Sequence, residues 1–401
     1  MTAQTTEALR ADTATPAGSQ GQTAYWGGIL AMTLCVFALI ASEFMPVSLL
    51  TPMANDLRVS EGLAGYGIAI SGAFAVLTSL SISSLAGAMN RKTLMLLMTI
   101  SGLVIALAPN YEIYMVGRAL IGVVVGGFWS MSVAVAIRLV PTDKVPKALA
   151  IFNGGNALAT VVAAPLGSYL GGIIGWRGAF FCLVPVALIA LVWQWISLPS
   201  MPTEPRSKQS GSVFSLFKNP VITLGMLAVG AFFMGQFELF TFVRPFLETV
   251  TRVDVPTLST MLLVLGAAGL VGTMLVGKFI AFGLYRTLVI IPLIMAVIAL
   301  ALITFGHSIP VVFLLLGLWG LVATAAPVGW WSWIAKTAPE NAEAGGGLMV
   351  AVIQLSIALG STLGGVLFDG MGYQATFTAS AALLAVAAIL ALLTGRAQRA
   401  R

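Results

Sequence analysis

The sequence predicts an all-α membrane protein, with twelve transmembrane helices arranged as two pseudo-symmetric six-helix bundles. Three observations carry that prediction. The chain of 401 residues is 59% hydrophobic and 8% charged, where a soluble domain averages roughly 25% charged residues. Its apolar residues gather into runs of about 20, the length that crosses a bilayer core. One long polar interruption then separates six such runs from six more.

In chain order the runs are Tyr25–Leu50, Leu63–Met89, Thr93–Ala108, Ile113–Ile137, Ala148–Ile174 and Ala179–Leu198. The second six are Val221–Val243, Leu258–Phe282, Thr287–Phe305, Ile309–Ala335, Ala344–Phe368 and Tyr373–Thr394. Backbone polar groups find no water in hydrocarbon, so each run is expected to be helical. The expected divisions are a cytoplasmic tail over 1–24, a bundle over 25–198, a central linker over 199–220, a second bundle over 221–395 and a tail over 396–401. The linker is rich in Pro, Ser and Lys. The halves echo one another: Glu43 against Glu238, Gly127–Ser130 against Gly329–Trp333, and Gly175–Arg177 against Gly372–Gln374. Repeats of this kind mark secondary transporters whose site lies between the halves.

Lys and Arg set the orientation. With both termini cytoplasmic, the inner segments hold 15 basic residues, and the outer loops hold only Arg58, Arg177, Arg244 and Arg252. The net charge of +6 is therefore topology; the basic residues are too dispersed for a nucleic-acid surface. Cys35 and Cys182 lie inside the first and sixth apolar runs, so no disulfide framework is expected and both read as packing residues. No phosphate-cradling loop, metal-ligand spacing or nucleophile–base arrangement occurs, so ATP-driven transport, a metal cofactor and catalysis are all unexpected.

Glycines four apart, at Gly122 and Gly126, at Gly167, Gly171 and Gly175, and at Gly360 and Gly364, let membrane helices approach closely. Pro165 precedes the middle series, and a bent, glycine-faced helix suits a sliding contact between halves.

Three charges share one depth. Glu43 lies roughly 10 Å by helical rise from the outer end of its run, and Arg118 and Glu238 lie about 9 Å from the same face. Ionisable groups so deep line wet cavities and handle protons, ions or substrate. A neighbouring Arg118 would lessen the penalty of burying Glu43. Burial and a nearby cation pull a carboxylate's proton affinity in opposite senses, the condition for a proton carrier. Gln354, Asn156 and Gln236 are amides within the runs, able to donate and accept toward hydroxyls or a nucleobase edge; interhelical bonding is the competing reading. Phe237, Phe240, Trp129 and Trp331 are aromatic candidates for the same substrate site, against a packing or interfacial role.

The stretch Gly117–Gly122 around Arg118 resembles the Arg-x-x-x-Gly motif of the major facilitator superfamily. Ala164–Gly171 with Gly175–Arg177 resembles the antiporter motif of its drug:proton antiporter branch, and Ser42–Pro46 with Leu49–Leu57 is similar to that branch's first span. Within the branch the purine ribonucleoside efflux pumps are most similar, through Pro46–Met53, Gly126–Ser132, Arg138–Pro141, Val145–Leu149, Gly235–Phe237, Pro327–Trp330 and Val350–Leu355. The resemblance implies a monomeric bacterial inner-membrane permease that exports purine nucleosides such as inosine and guanosine in exchange for protons, with the proton as coupling ion. It implies proton coupling at Arg118 and an antiport gate at Pro165, Gly167 and Gly171. Arg91 and Lys92 fit the superfamily's cytoplasmic loop motif, but Gly87 stands where that motif has an aspartate. Sugar or multidrug efflux on the same fold is the alternative, and a membrane sensor without turnover is the rival from another class.

Overall fold

The structure is a computed structural model that describes residues 24–85, 91–141, 144–197, 213–339 and 342–400. Among them are helices and turns and no strand. The helices are α1 Trp26–Leu57, α2 Glu61–Leu85, α3 Arg91–Ala106, α4 Tyr111–Arg138, α5 Val145–Phe181, α6 Leu183–Ser197 and α7 Pro220–Phe240. A short α8, Val243–Phe246, leads through a π turn to α9 Val255–Phe305. Then come α10 Ile309–Ala323, α11 Ala326–Thr337, α12 Ala342–Met371 and α13 Tyr373–Arg399.

Nine stretches among the described residues are long and apolar enough to cross a membrane, and Thr93–Ala106 is a shorter apolar helix. The count differs from twelve because two stretches, Lys147–Ser197 and Val255–Phe305, each run for 51 residues. A straight helix of that length would span roughly 75 Å, more than twice the bilayer core. Both are interrupted: Gly175 has φ 75° and ψ 165°, and Gly283 has φ 164° and ψ 103°. The dihedrals at Gly175 are ones that only glycine adopts without strain. Within Ile309–Thr337, the helix breaks at Thr324–Ala325, just before Pro327.

Large apolar side chains point outward from the bundles. Phe282 is 90% exposed and Ile196 80%, a surface that water would penalise and lipid accepts. The interior is packed by buried apolar clusters in each half: Phe232, Trp330, Trp333 and Phe377 in one, Ile29, Val125 and Phe152 in the other. Within the halves α1 packs mainly on α5, α4 on α2, and α7 on α13 and α12. Between them α2 runs along α12 and α5 along α9.

The glycine series explain two of these contacts. Gly122 and Gly126 lie against the backbone carbonyls of Ser71 and Ala75, so α4 and α2 touch main chain to main chain. Gly360 and Gly364 do the same for α12 against Met234 and Glu238 of α7. The middle series departs from expectation. Gly167 and Gly171 face Met45, Ser48 and Leu49 of α1, inside their own half. The contact across to the other half is made instead by Gly172 against Val255, and by Val161 against Gly266. Pro165 sits inside α5 without breaking it.

Both halves share a local signature: α1 ends at Arg58 with φ 56°, and the turn after α8 ends at Arg252 with φ 59°. Each is a left-handed cap on a non-glycine residue, uncommon enough that its recurrence supports an internal repeat. Residues 1–23, 198–212 and the 86–90 loop with Gly87 lie outside the described residues, as do the side chains of Arg91 and Lys92.

Candidate functional site between the halves

Glu43 sits deep in α1 and is 6% exposed, while Arg118 on α4 and Glu238 on α7 are completely buried. Arg118 and Glu43 are neighbours, but no ion pair within 4 Å joins them. The Arg118 guanidinium donates to backbone carbonyls: from Nε to Gly67 at 2.9 Å, from Nη1 to Ser42 at 2.9 Å and from Nη2 to Glu43 at 3.4 Å. Those bonds tie α1, α2 and α4 together where α1 carries its carboxylate. Pro46 has no N–H to give the carbonyl four residues before it, that of Ser42, which suits the Ser42 carbonyl to the Arg118 donor.

The Glu43 carboxylate instead meets the opposite half. Gln354 Nε2 on α12 donates to Glu43 Oε1 at 3.3 Å, and both residues are buried. Gln354 Oε1 is buried with no partner. One residue along α1, Phe44 stacks on Phe237 with ring centroids 5.9 Å apart and meets Phe240 edge-on at 6.4 Å. Gln236, half-buried on the same helix, also has an unpartnered carbonyl oxygen. The structure thus brings together Glu43, Gln354, Phe237, Phe240 and Arg118 at one level of the interface. Gln354 and Gln236 each leave a buried amide oxygen unpaired near the stacked rings.

Glu238 lies in the interior of its half with both carboxylate oxygens buried and unpartnered. The other candidates stand apart. Trp129 packs on Phe128 and Phe152, eleven residues and roughly 16 Å along α4 from Arg118. Trp331 is 41% exposed on α11. Asn156 is half-buried on α5, where its backbone carbonyl accepts from Thr160 at 2.8 Å. Pro165 and Gly167 are buried against α1.

One cluster was not legible beforehand. Arg244, counted as an outer-loop charge in the sequence, is 4% exposed. It crosses to the other half, donating to the Ser48 carbonyl and to Ser168 Oγ, and pairs with Glu248 at 2.7 Å. Nearby, Asp369 at the end of α12 accepts from the Gly62 backbone N–H at 3.0 Å and from Ser60 Oγ, both at the start of α2. Asp56 joins Trp176 and Arg177, fastening the end of α5 to the end of α1. The halves are therefore closed at the end bearing Ser60, Arg244 and Asp369.

Two helical bundles, apolar outside and joined around buried charged and amide groups, have the architecture of a membrane transporter. The sequence profile of the Major Facilitator Superfamily matches residues 32–346, and the chain belongs to that superfamily. It is a transporter and not an enzyme. It is 64% identical over 384 residues to a protein of Pseudomonas aeruginosa named Transcription regulatory protein OpdE, covering 94% of this chain and 96% of that one. It is 39% identical over 369 residues to the Purine ribonucleoside efflux pump NepI of Salmonella enteritidis, covering 91% and 93%. Among solved structures, a bacterial homologue of the lysosomal transporter Spinster, inward-facing and occupied, superposes with a TM-score of 0.74 at 15% identity over 94% of this chain and 98% of that one. The nucleoside transporter NupG gives 0.74 at 11% identity over 92% and 98%. At those identities the structural likeness speaks for fold alone.

Proposed function

We propose that this transporter exports purine ribonucleosides such as inosine and guanosine from the cytoplasm in exchange for protons. The observation that carries the reading is the buried Glu43 carboxylate at the junction of the halves, bonded to an amide of the opposite half beside stacked phenylalanines. The 39% identity to purine ribonucleoside efflux pumps supplies the substrate class. By the positive-inside bias the closed end is the outer one, and on this reading nucleoside loads from the inner side. The purine stacks on Phe44 and Phe237, its edge bonds to Gln354 and Gln236, and Glu43 carries the proton. Arg118 holds the Glu43 turn in place, and Glu238 serves as a second proton-bearing group. The protein works as a monomer in the bacterial inner membrane with both termini cytoplasmic.

The test is inosine uptake into everted vesicles with and without an imposed pH gradient. Wild type should accumulate inosine only with the gradient, and Glu43→Gln should abolish inosine-driven proton movement while the protein still inserts. Full coupling in Glu43→Gln would remove Glu43 from the mechanism. Arabinose and an amphiphilic cation as competitors separate the sugar and multidrug alternatives.

A second reading has one observation behind it, the 64% identity to a protein named for transcription regulation. On that reading the same site senses its ligand without turnover. Flux in the vesicle assay excludes it; ligand binding with no flux at any gradient would favour it.

A further inference from the structure

Gln354 is the polar side chain of the second half that touches the Glu43 carboxylate, and its two polar atoms are not equally placed. Nε2 donates to Glu43 at 3.3 Å, while Oε1 is buried without a donor. An ionised carboxylate has no hydrogen to offer, so Gln354 Oε1 stays unpaired while Glu43 is charged. A proton on Glu43 removes the mismatch. The acid O–H donates to Gln354 Oε1, and the other acid oxygen keeps accepting from Nε2, closing a ring of two hydrogen bonds between the halves. Rotation about the terminal torsions of the two side chains brings their edges together.

The amide edge of a 6-oxopurine has the same pattern as a carboxylic acid: one N–H donor beside one C=O acceptor. The rings that would hold such a base, Phe44, Phe237 and Phe240, adjoin this pair. We propose that Gln354 is the group for which proton and substrate compete, pairing with protonated Glu43 or with the purine edge but not with both. When the base takes the amide, protonated Glu43 loses two hydrogen bonds where the carboxylate would lose one. Its hold on the proton therefore weakens, and the proton passes to water on the side from which the base entered. The exchange step rests on the nucleoside reading; the acid–amide pair does not.

The groups around Glu43 leave its carboxylate to Gln354. Arg118 on α4 engages backbone carbonyls, with Tyr114 one turn before it. Glu238 on α7 lies in its own half, and Arg244 on α8 is bound to Ser48 and Glu248. On α2 and α5 the charges Glu61, Lys147 and Arg177 stand near the helix ends, as does Asp369 on α12.

Infrared difference spectroscopy on the full chain in lipid nanodiscs tests both parts, with Glu43→Gln assigning the protonated Glu43 carbonyl band. Gln354→Met preserves side-chain length and removes the amide, so the band should move to higher wavenumber; an unmoved band overturns the pair. Gln354→Asn, which keeps an amide one methylene shorter, should give a smaller shift and serves if the Met variant does not fold. Adding inosine to wild type at acid pH should bleach the band and release a proton, and 1-methylinosine, which lacks the N–H donor, should not. Inosine that binds while the band persists overturns the competition. If the Gln354→Met shift is present but no nucleoside binds, the acid–amide pair stands and the nucleoside reading falls.

Discussion

Arg118 has no exposed surface, and its guanidinium faces three carbonyl oxygens from two other helices. A planar fork of five N–H donors meets such a set; a lysine ammonium is a single point. Arg118→Ala should therefore strip buried carbonyls of their donors and lower stability by about 3 kcal/mol or more. Arg118→Lys should keep the charge yet recover only part of that loss. Thermal unfolding in detergent measures both, and an unchanged midpoint for Arg118→Ala would show that other groups satisfy those carbonyls. The depth of Glu43 and Glu238 could be read from the chain because a carboxylate inside an apolar run has few structural excuses. Arg244 could not. It sits at the edge of its run, and its burial depends on Ser48 and Ser168, which come from the other half. The spacing of Arg244 and Glu248 by one helical turn was the available signal, but that spacing alone also describes an exposed pair.

Helices were the most legible level, since hydrocarbon leaves the backbone little choice. Even the breaks left traces. The apolar runs stop at Ile174 and Phe282, one residue before the non-helical Gly175 and Gly283. The break at Thr324–Ala325 was missed because no charge marks it, although Pro327 removes a backbone donor there. Close helix contact yields a matched pair of tests. A Cβ at Gly122 would meet the Ser71 carbonyl, whereas one at Gly277 on α9 meets nothing within 4 Å. Gly122→Val should force α4 off α2 and cost about 1–3 kcal/mol, while Gly277→Ala should be neutral or slightly stabilising. Equal melting temperatures for the two variants would contradict the contact. At the membrane boundary, Asp254 caps α9 by accepting from the Thr257 N–H at 3.1 Å. Hydrogen bonds from Thr257 hold the Asp254 carboxyl below its usual range. A depressed folded-state value means the cap contributes fully above the ordinary aspartate range, near pH 4, and is lost as pH falls through the folded value. Amide exchange at Thr257 should accelerate over that acid window in wild type. In Asp254→Asn, which caps without titrating, the acceleration should be absent.

At the scale of the whole molecule, the halves are held at one end by polar contacts that any opening there must break. Asp369 from α12 binds the Gly62 N–H and the Ser60 hydroxyl at the start of α2, so one half caps a helix of the other. A carboxylate at a helix N-terminus is favoured both by free N–H groups and by the helix dipole. Arg244 adds a second tie through the Ser48 carbonyl. Caps of this kind contribute about 1 kcal/mol, and about 1.4 kcal/mol changes a two-state ratio tenfold. Losing one tie should thus shift the balance of open and closed forms several-fold without unfolding either bundle. Spin labels at Leu107 and Thr249, exposed positions on opposite halves near this end, would report it as a second, longer distance in pulsed dipolar spectra. Asp369→Ala should raise the longer-distance population several-fold. Asp369→Asn, which retains an acceptor without the charge, should fall between. If Asp369→Ala leaves the distribution of wild type intact, the cap is incidental, and the closure is held by the apolar contact of α2 along α12 and α5 along α9.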